Sequence, residues 1–317
     1  MDEVATPIRL GRSDIVVHPV ALGTYLFSGT AQDLSAATAD YPILVDTSSL
    51  YGTEAVVGAA AGASRGSFVV ATKVFPDSYS AEKLKASAKT SLATMGLDWI
   101  DLLQLHWPSD AIPIDETIGA MEDLIDEGVI RAIGLCNFRP SEVIAAVEAA
   151  RRHGVVSNQV AYSLYDRRFA YDVIPYCEAE SITVVAYSPL GAQGPDFLRS
   201  RDSRRVLDRI AEREGATAAQ VALAWAMRDG TAIALCKSSS PERMIENSRA
   251  ACVRLTPQDR AALVSSIKPR RIRSQLEERV RLVVRRTLYS RSGQLNGRGR
   301  VVENSRDLLR RARTALR

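Results

Sequence analysis

Eight short apolar segments recur along the first 235 residues, and each has the length of a β-strand. They lie at 20–23, 43–46, 68–71, 101–105, 132–135, 156–160, 183–187 and 232–235. Most are followed by a stretch in which apolar residues return at helical spacing, for example after Ser80, Asp115 and Pro140. Strands that alternate with helices in this way pair in parallel, because each helix carries the chain back to the start of the next strand.

Eight such strand–helix units predict an α/β fold of the closed (β/α)8 TIM-barrel type. The alternative is an open doubly wound sheet, which would place a glycine-rich phosphate loop after its first strand. The chain has no Gly-x-Gly-x-x-Gly sequence. Residues 8–17 resemble two short strands around a glycine turn, so an N-terminal β-hairpin should cover the bottom of the barrel. The first helix, between residues 28 and 41, should be short, and segment 191–204 should be irregular and mobile.

Four chemically distinct side chains lie at or just after the ends of three strand segments: Asp46 at the end of 43–46 and Tyr51 after it, Lys73 after 68–71 and His106 after 101–105. Residues at the ends of parallel strands converge at one mouth of a barrel, however far apart they are in sequence. A buried ammonium beside a tyrosine favours the phenolate and so makes the phenol a stronger acid. Asp46 would hold Lys73 in place, and His106 would orient a carbonyl oxygen. Reduction of a C=O bond requires such a set, since an acid must protonate oxygen while hydride reaches carbon.

The composition excludes several other classes of protein. With 317 residues, 46% hydrophobic and 25% charged, the chain can form one large or two ordinary globular domains. No apolar run reaches about 18 residues, so no membrane span is expected. The first residues do not have the pattern of a secretory signal, and a cytoplasmic location is expected. The four cysteines are widely spaced and the histidines number three, so we expect buried free thiols and no metal site.

Charge is distributed unevenly along the chain. Residues 267–317 carry 16 Lys and Arg against 4 Asp and Glu, whereas residues 1–266 carry 25 against 33. The basic tail has helical spacing around 274–284 and 304–316, with glycines between. A nucleic-acid-binding arm is disfavoured, because Tyr289 is the only aromatic residue there. We expect a helical extension that packs on the acidic barrel or on a neighbouring subunit of a homo-oligomer; a loosely ordered tail is the alternative.

Further motifs occur in order along the chain. They are Gly-Leu-Cys-Asn-Phe at 134–138, Ser-Asn-Gln-Val at 157–160, Ala-Tyr-Ser-Pro-Leu at 186–190 and Lys-Ser-Ser-Ser-Pro-Glu-Arg-Met-Ile-Glu-Asn at 237–247. Together with the four residues above, they resemble the aldo-keto reductase family from about Ile8 to Ile267. The resemblance implies that residues 1–267 form a barrel that binds NADPH across its C-terminal mouth and reduces a small-molecule aldehyde or ketone. The Arg-rich helical extension, residues 268–317, lies outside it.

The resemblance also implies a role for each site residue. Tyr51 would be the general acid, Lys73 and Asp46 its charge partners, and His106 the orienting residue. Asn137 and Gln159 would bind the nicotinamide carboxamide, and Tyr187 would stack on the ring. The other implied cofactor-binding positions are Gly23, Thr24, Asp46, Ser188, Leu190, Lys237, Ser238, Arg243 and Asn247. Of these, Lys237, Ser238 and Arg243 would surround the adenosine 2′-phosphate. Cationic donors suit a dianionic phosphate, so NADPH is favoured over NADH.

The substrate is less well defined by the sequence. Trp107 follows His106 directly, and Tyr25 and Phe27 follow the end of the first strand segment, at the same mouth; these three aromatic residues are the predicted substrate wall. Cys136 stands where the family commonly has serine, which bears on the hydrogen bond to the cofactor carboxamide. Two other departures from the family pattern bear on the substrate: Tyr25 stands where tryptophan is frequent, and the loop after Leu190 is short compared with many relatives. One alternative is therefore a ketoreductase specialised for a bulky polyketide or deoxysugar intermediate. An alternative of another class is an NADPH-binding regulatory or scaffold protein with little turnover.

Overall fold

A computed structural model describes residues 5–37, 39–191 and 201–269. The chain begins with an antiparallel hairpin, β1 (Ile8–Arg9) and β2 (Val16–Val17). Eight further strands of the described residues are β3 (Val20–Gly23), β4 (Ile43–Asp46), β5 (Phe68–Val74), β6 (Ile100–Leu105), β7 (Ile130–Cys136), β8 (Val155–Ala161), β9 (Thr183–Tyr187) and β10 (Ala232–Lys237). The helices of the same ranges are α1 (Ala31–Ser35), α2 (Glu54–Ala63), α3 (Ala81–Met95), α4 (Ile114–Asp126), α5 (Pro140–Ala149), α6 (Val173–Ala179), α7 (Arg201–Glu214), α8 (Ala218–Ala226), α9 (Pro241–Ser248) and α10 (Pro257–Ser266).

Strands β3 to β10 form a closed parallel barrel. Each pairs with its neighbour in sequence, and β10 returns to pair with β3. The predicted (β/α)8 fold is confirmed, and every predicted apolar segment lies inside one of these strands. Because all eight strands run in the same direction, their carboxyl ends meet at one mouth.

The barrel strands are buried on both faces. Every residue of β5, β6 and β8 is buried, one face toward the helices and the other toward the barrel interior. Strands in this position are apolar almost throughout, because neither face meets water. Among the polar exceptions, Lys73, Gln104 and Gln159 have long side chains that are buried and need partners inside the barrel.

The N-terminal hairpin covers the bottom of the barrel, as predicted. Leu10, Ile15 and Val17 pack in one cluster with inward-facing residues of the barrel strands, Val156 among them. The turn includes Gly11 at φ +53°, where a Cβ would lie 2.7 Å from the carbonyl oxygen of Val156. Only glycine fits this close approach at a positive φ.

Helices α1 and α3 begin where the sequence predicts, but the cap of α3 differs from the expected one. The first helix, α1, has only five residues and begins with a capping box between Thr30 and Asp33, so the predicted short helix is confirmed. Helix α3 begins after Ser80, but within the described chain the Ser80 side chain makes no capping bond. A carboxylate oxygen of Glu116 accepts the Ala81 N–H instead, at 3.0 Å.

The prediction that residues 191–204 are irregular is wrong at its C-terminal end, because helix α7 begins at Arg201. Although the helix starts with polar residues, one of its faces is buried. Ser203, Leu207 and Ile210 lie on that face at helical spacing. Ser203 Oγ also donates to the carbonyl oxygen of Ser266, at 2.9 Å. The rest of the predicted segment, 192–200, lies outside the described residues.

Contacts within the chain divide it into two units, residues 1–269 and 270–317. The predicted Arg-rich helical extension lies, from residue 270 onward, outside the described residues. The predicted boundary at residue 267 and the role of the extension therefore stay predictions. In the described part of the chain, no helix is both long enough and apolar enough to cross a membrane.

Asp259 connects helix α10 to helix α7. Its carboxylate accepts two hydrogen bonds from the Arg213 guanidinium, at 3.1 and 2.8 Å, and one each from the Thr256 hydroxyl and the Thr256 N–H. Chiefly through the Arg213 hydrogen bonds, and with help from Thr256, the pKa of Asp259 is lowered to about 2. A depressed carboxyl pKa means that ionised Asp259 stabilises the folded state.

We expect Asp259→Ala to lower the free energy of unfolding by about 1–2 kcal/mol at pH 7, through loss of the cap and the ion pair. This contribution is fully present above the unfolded carboxyl pKa of about 4 and is lost as pH falls through about 2. Urea melts at pH 7 and pH 3 should therefore show a smaller difference at pH 3. Asp208→Ala, which removes an exposed pair with Arg204, is the control and should change little. A difference that does not depend on pH would contradict this account.

Candidate active site

A buried ion pair lies at the carboxyl ends of β4 and β5. Asp46 ends β4 and pairs in register with Ala71 of β5, so Lys73, two residues further along β5, points to the same interior face. The Lys73 Nζ donates to Asp46 Oδ2, and the Lys73 side chain is fully shielded from solvent. A second bond runs from Nζ to the carbonyl oxygen of Thr47, at 3.0 Å. The lysine is therefore held in one position.

The other oxygen of Asp46 is also satisfied inside the barrel. Its Oδ1 accepts from Gln104 Nε2 at 2.9 Å and from Gln159 Nε2 at 2.8 Å. A buried charge pair is tolerated when further hydrogen bonds satisfy its remaining lone pairs, and the two amides do so here. Gln104 was not predicted as a site residue, although a glutamine between two leucines of β6 is a recognisable sequence signal.

Tyr51 is carried by a 3-10 turn, Ser49–Tyr51, directly after β4. The Ser48 side chain caps the start of this turn, and Gly52 in the left-handed conformation ends it. The turn places the Tyr51 ring with its centroid 4.9 Å from Lys73 Nζ. The Tyr51 hydroxyl oxygen lies 3.5 Å from His106 Nε2. The structure therefore brings together the four side chains that the sequence singled out, while their catalytic roles stay predictions.

His106 is fixed by backbone and ring contacts directly after β6. Its N–H donates to the carbonyl oxygen of Val74, at 3.0 Å, and its carbonyl oxygen accepts from Asn137 Nδ2, at 3.2 Å. The imidazole stacks on Trp107, with ring centroids 6.3 Å apart, and meets the edge of Phe75 at 6.0 Å. These contacts orient Nε2 toward Tyr51.

Two of the three predicted substrate residues lie beside this group. The Tyr25 ring meets the Tyr51 ring edge-on at 5.2 Å and is 46% exposed, so it forms an outer wall next to the phenol. Trp107 forms the side beyond His106. Phe27 differs, because it packs against the hydrophobic core.

Asn137 and Tyr187 meet at the mouth between β7 and β9. Asn137 has a left-handed backbone at φ +68°, and its Oδ1 accepts from the Tyr187 hydroxyl at 2.9 Å. Ser188, the next residue, is also left-handed at φ +52° and turns the chain away from the strand. Leu190 packs against the core. The predicted nicotinamide-binding residues Asn137, Gln159 and Tyr187 therefore lie on adjacent strand ends.

The predicted positions at the end of β3 hold the neighbouring strand in place. Gly23 is the last residue of β3 and lies beside Asp46 in the sheet. The Thr24 hydroxyl donates to the carbonyl oxygen of Asp46, at 2.9 Å, and lies 2.8 Å from the Thr53 hydroxyl. This buried Thr24 side chain is committed to the backbone that presents Asp46.

The residues predicted to bind phosphate surround the N-terminus of α9. Lys237 ends β10 and is exposed, and Arg243 is exposed on the first turn of α9. Ser240 caps this helix by accepting the Arg243 N–H, and Ser238 Oγ accepts the Ser240 N–H at 3.0 Å. Asn247 is half-buried one turn further along. Two cations, hydroxyl groups and a helix N-terminus make a site suited to an anion.

One contact near this site was not foreseen from the sequence. The Ser28 N–H donates to Ser239 Oγ at 3.1 Å, which joins the loop after β3 to the loop before α9. No local pattern signals it, since the two residues are 211 positions apart.

The expected buried thiols are found at Cys136, Cys177 and Cys236, whereas Cys252 is half-buried. Burial raises the pKa of the Cys236 thiol to about 12 and that of the Cys177 thiol to about 11, so both stay protonated at neutral pH. Among the described residues, no group of three or more His, Cys, Asp or Glu side chains is arranged to hold a metal ion.

Comparison with known proteins identifies the family. Residues 31–268 match the model of the aldo/keto reductase family. The chain is 32% identical over 223 residues to methylglyoxal reductase YeaE of Escherichia coli, an alignment that covers 69% of this chain and 78% of that protein. It is 33% identical over 292 residues to an uncharacterized oxidoreductase of Mycobacterium bovis, which covers 80% and 90%.

Solved structures of other proteins point to the same family. An aldo/keto reductase from Klebsiella pneumoniae, in complex with NADP and acetate, has a TM-score of 0.73 and 30% identity. The match covers 86% of this chain and 99% of that chain. The chain belongs to the aldo-keto reductase family and is an oxidoreductase.

The buried pair predicts a specific pattern of stability. Lys73→Met should lower the free energy of unfolding by about 3–5 kcal/mol, because it leaves the Asp46 carboxylate buried without its cation. The double variant Lys73→Met/Asp46→Asn should recover most of this loss, since no charge then remains inside. Denaturant unfolding measures both.

The control is Lys89→Met, which removes an exposed ion pair with Glu127 and should have little effect. A double variant as unstable as Lys73→Met alone would show that the charge is not what makes the single change costly.

Proposed function

We propose that this chain is an NADPH-dependent carbonyl reductase in which Tyr51 protonates the oxygen of an aldehyde or ketone. The observation that carries the proposal is the placement of Lys73. Its ammonium is held by Asp46 inside the barrel and lies 4.9 Å from the centroid of the Tyr51 ring. A fixed, desolvated cation beside a phenol favours release of the phenolic proton.

The residues at the mouth fit the cofactor in chemical character. Asn137 and Gln159 are amides, which suit a carboxamide, and Tyr187 offers a half-buried ring. Lys237 and Arg243 flank a helix N-terminus, which suits the 2′-phosphate that distinguishes NADPH from NADH. The Klebsiella pneumoniae relative was solved with NADP, which supports the same cofactor here.

The reaction divides between cofactor and protein. When bound, the reduced nicotinamide supplies the hydride that goes to the carbonyl carbon. Tyr51 supplies the proton to the carbonyl oxygen as the C=O π bond breaks, so the product is an alcohol. His106 orients the same carbonyl oxygen, a role supported by the 3.5 Å distance between its Nε2 and the Tyr51 hydroxyl oxygen. Lys73 stabilises the phenolate that remains.

The substrate we propose is a small reactive aldehyde or ketone. Relatives from Escherichia coli and Salmonella carry the name methylglyoxal reductase, which favours a carbonyl of this size. Tyr25 and Trp107 give the site an aromatic border, and the Tyr25 side chain is partly exposed to solvent. Turnover measured with methylglyoxal, an aromatic aldehyde and a bulky cyclic ketone would rank the substrate classes.

Tyr51→Phe should reduce kcat by about 10²-fold or more, because it removes the proton donor and keeps the ring. NADPH binding, followed by fluorescence, should change little. Tyr25→Phe is the matched control, since it removes a hydroxyl from the adjacent ring and should retain most of the activity.

An unchanged kcat in Tyr51→Phe would end the proposal that this phenol is the general acid. A wild-type protein that binds NADPH but reduces none of the carbonyls would favour the regulatory or scaffold alternative. Stopped-flow oxidation of bound NADPH separates that outcome from slow product release.

Arg243→Ala should weaken binding of NADPH by about tenfold and leave binding of NADH nearly unchanged, because only NADPH carries the 2′-phosphate. Arg249→Ala is the control: it makes the same change of charge at the other end of α9 and should alter neither affinity. Equal losses for both cofactors in Arg243→Ala would show that the guanidinium does not recognise the phosphate.

A further inference from the structure

Gln104 is a buried amide that the proposed reaction does not use directly. It lies on β6, only 1% exposed, between Leu103 and Leu105, and its side chain points into the barrel. A buried amide among leucines is costly unless its donors and acceptor are paired. Its partners therefore show what it does.

Both ends of the Gln104 amide are engaged at the base of the active site. Its Nε2 donates to Asp46 Oδ1 at 2.9 Å, and its Oε1 accepts from Gln159 Nε2 at 3.2 Å. Gln159 Nε2 also donates to the same Asp46 oxygen, at 2.8 Å. Gln104, Gln159 and Asp46 thus form a closed triangle of hydrogen bonds.

The triangle determines which end of the Gln159 amide points inward. An amide nitrogen has two protons, and those of Gln159 are directed to Asp46 and to Gln104, both acceptors. If Gln159 were turned over, its oxygen would face the Asp46 carboxylate and the Gln104 oxygen, and no proton would lie between them. Its Oε1 therefore faces the other way, where Cys136 Sγ donates to it at 3.7 Å, a long contact that leaves capacity for another donor.

The barrel confines Gln104 to this position. A Cβ on Gly134 of β7 would lie 2.8 Å from Gln104 Cγ and 2.8 Å from Ser157 Oγ, so the absence of a side chain at Gly134 makes room for the glutamine. Packing around Cγ limits the rotamers of Gln104, and its amide stays at the level of Asp46 and Gln159.

We propose that Gln104 is a positioning residue that holds the Gln159 amide with its oxygen available to the N–H of the nicotinamide carboxamide. The inference rests on the proposed cofactor. It assigns to Gln104 a role in cofactor recognition without any contact to the cofactor. Its effect should therefore depend on the carboxamide N–H and disappear when that group is missing.

The test is a binding experiment with two oxidised cofactors, NADP+ and its 3-acetylpyridine analogue, in which a methyl group replaces the carboxamide nitrogen. Dissociation constants would be measured by calorimetry for the wild type, Gln104→Met, Gln104→Glu and Ser157→Ala. Gln104→Met removes the acceptor for Gln159 at similar volume. We expect it to weaken NADP+ by roughly fivefold, the value of one hydrogen bond, and the analogue by less than about twofold.

The other variants separate orientation from packing. A buried carboxyl beside the Asp46 carboxylate is protonated, because two like charges at this distance disfavour each other. Protonated glutamate at 104 donates to Asp46 and retains an oxygen for Gln159 Nε2, so Gln104→Glu should keep the wild-type ratio of the two dissociation constants even if both shift together. Ser157→Ala changes the same interior layer beside Gly134; its Oγ has no hydrogen-bond partner among the described residues, so both affinities should stay at wild-type values.

Equal weakening of NADP+ and the analogue in Gln104→Met, or no weakening of either, would overturn the proposal. If circular dichroism shows that Gln104→Met is not folded, Gln104→Leu takes its place. The ratio of the dissociation constants for NADP+ and the analogue is then compared with that of the wild type. A wild-type protein that binds neither NADP+ nor the analogue would instead contradict the proposed cofactor, so the two failures are distinguishable.

Discussion

The candidate active site depends on a lysine ion pair buried where water does not reach it. Burying an ammonium away from water destabilises the folded state by several kcal/mol. A single carboxylate offsets this only if the geometry of the ion pair is good and other hydrogen bonds satisfy the remaining lone pairs of the carboxylate. Here Lys73 Nζ has Asp46 and the Thr47 carbonyl, and Asp46 in turn has two amides. The ion pair is therefore the centre of a network that crosses the barrel from β4 and β5 to β6 and β8. Any change that leaves one member without its partner affects both stability and the environment of the phenol.

The closed parallel barrel brings the members of this network together although they are far apart in sequence. Strands of the same direction present alternate residues to the interior, so Asp46, Lys73, Gln104 and Gln159 meet although they span more than a hundred positions. Loops at the carboxyl ends then add groups that the strands cannot supply, such as the turn that carries Tyr51. The same mouth also holds the N-terminus of α9, whose free N–H groups and neighbouring cations suit an anion. A separate nucleotide-binding domain is not needed for such an arrangement.

The sequence predicted the barrel because burial on both faces makes each strand apolar, and the eight apolar segments stand out from the amphipathic helices. Asp46 could be recognised because it ends such a segment, and Lys73, His106 and Tyr51 because each closely follows one. What escaped prediction depends on distant packing. The contact of Ser28 with Ser239 and the Glu116 carboxylate on the Ala81 N–H join loops and helices with no shared local pattern. The start of α7 was missed because its apolar face is sparse and lies between arginines.

Cys136 and Gln104 have to be considered together. A thiol is a weak hydrogen-bond donor, and the 3.7 Å contact from Cys136 Sγ to Gln159 Oε1 is too weak to set the direction of the amide. Two N–H···O bonds on the opposite side, to Asp46 and Gln104, are shorter and include a charged acceptor, which makes them stronger. The orientation of Gln159 is therefore decided from inside the barrel and not from its mouth. The hydrogen bond from Cys136 contributes little to holding the Gln159 amide. A residue with a weak donor can therefore occupy position 136 without disturbing the amide that it contacts.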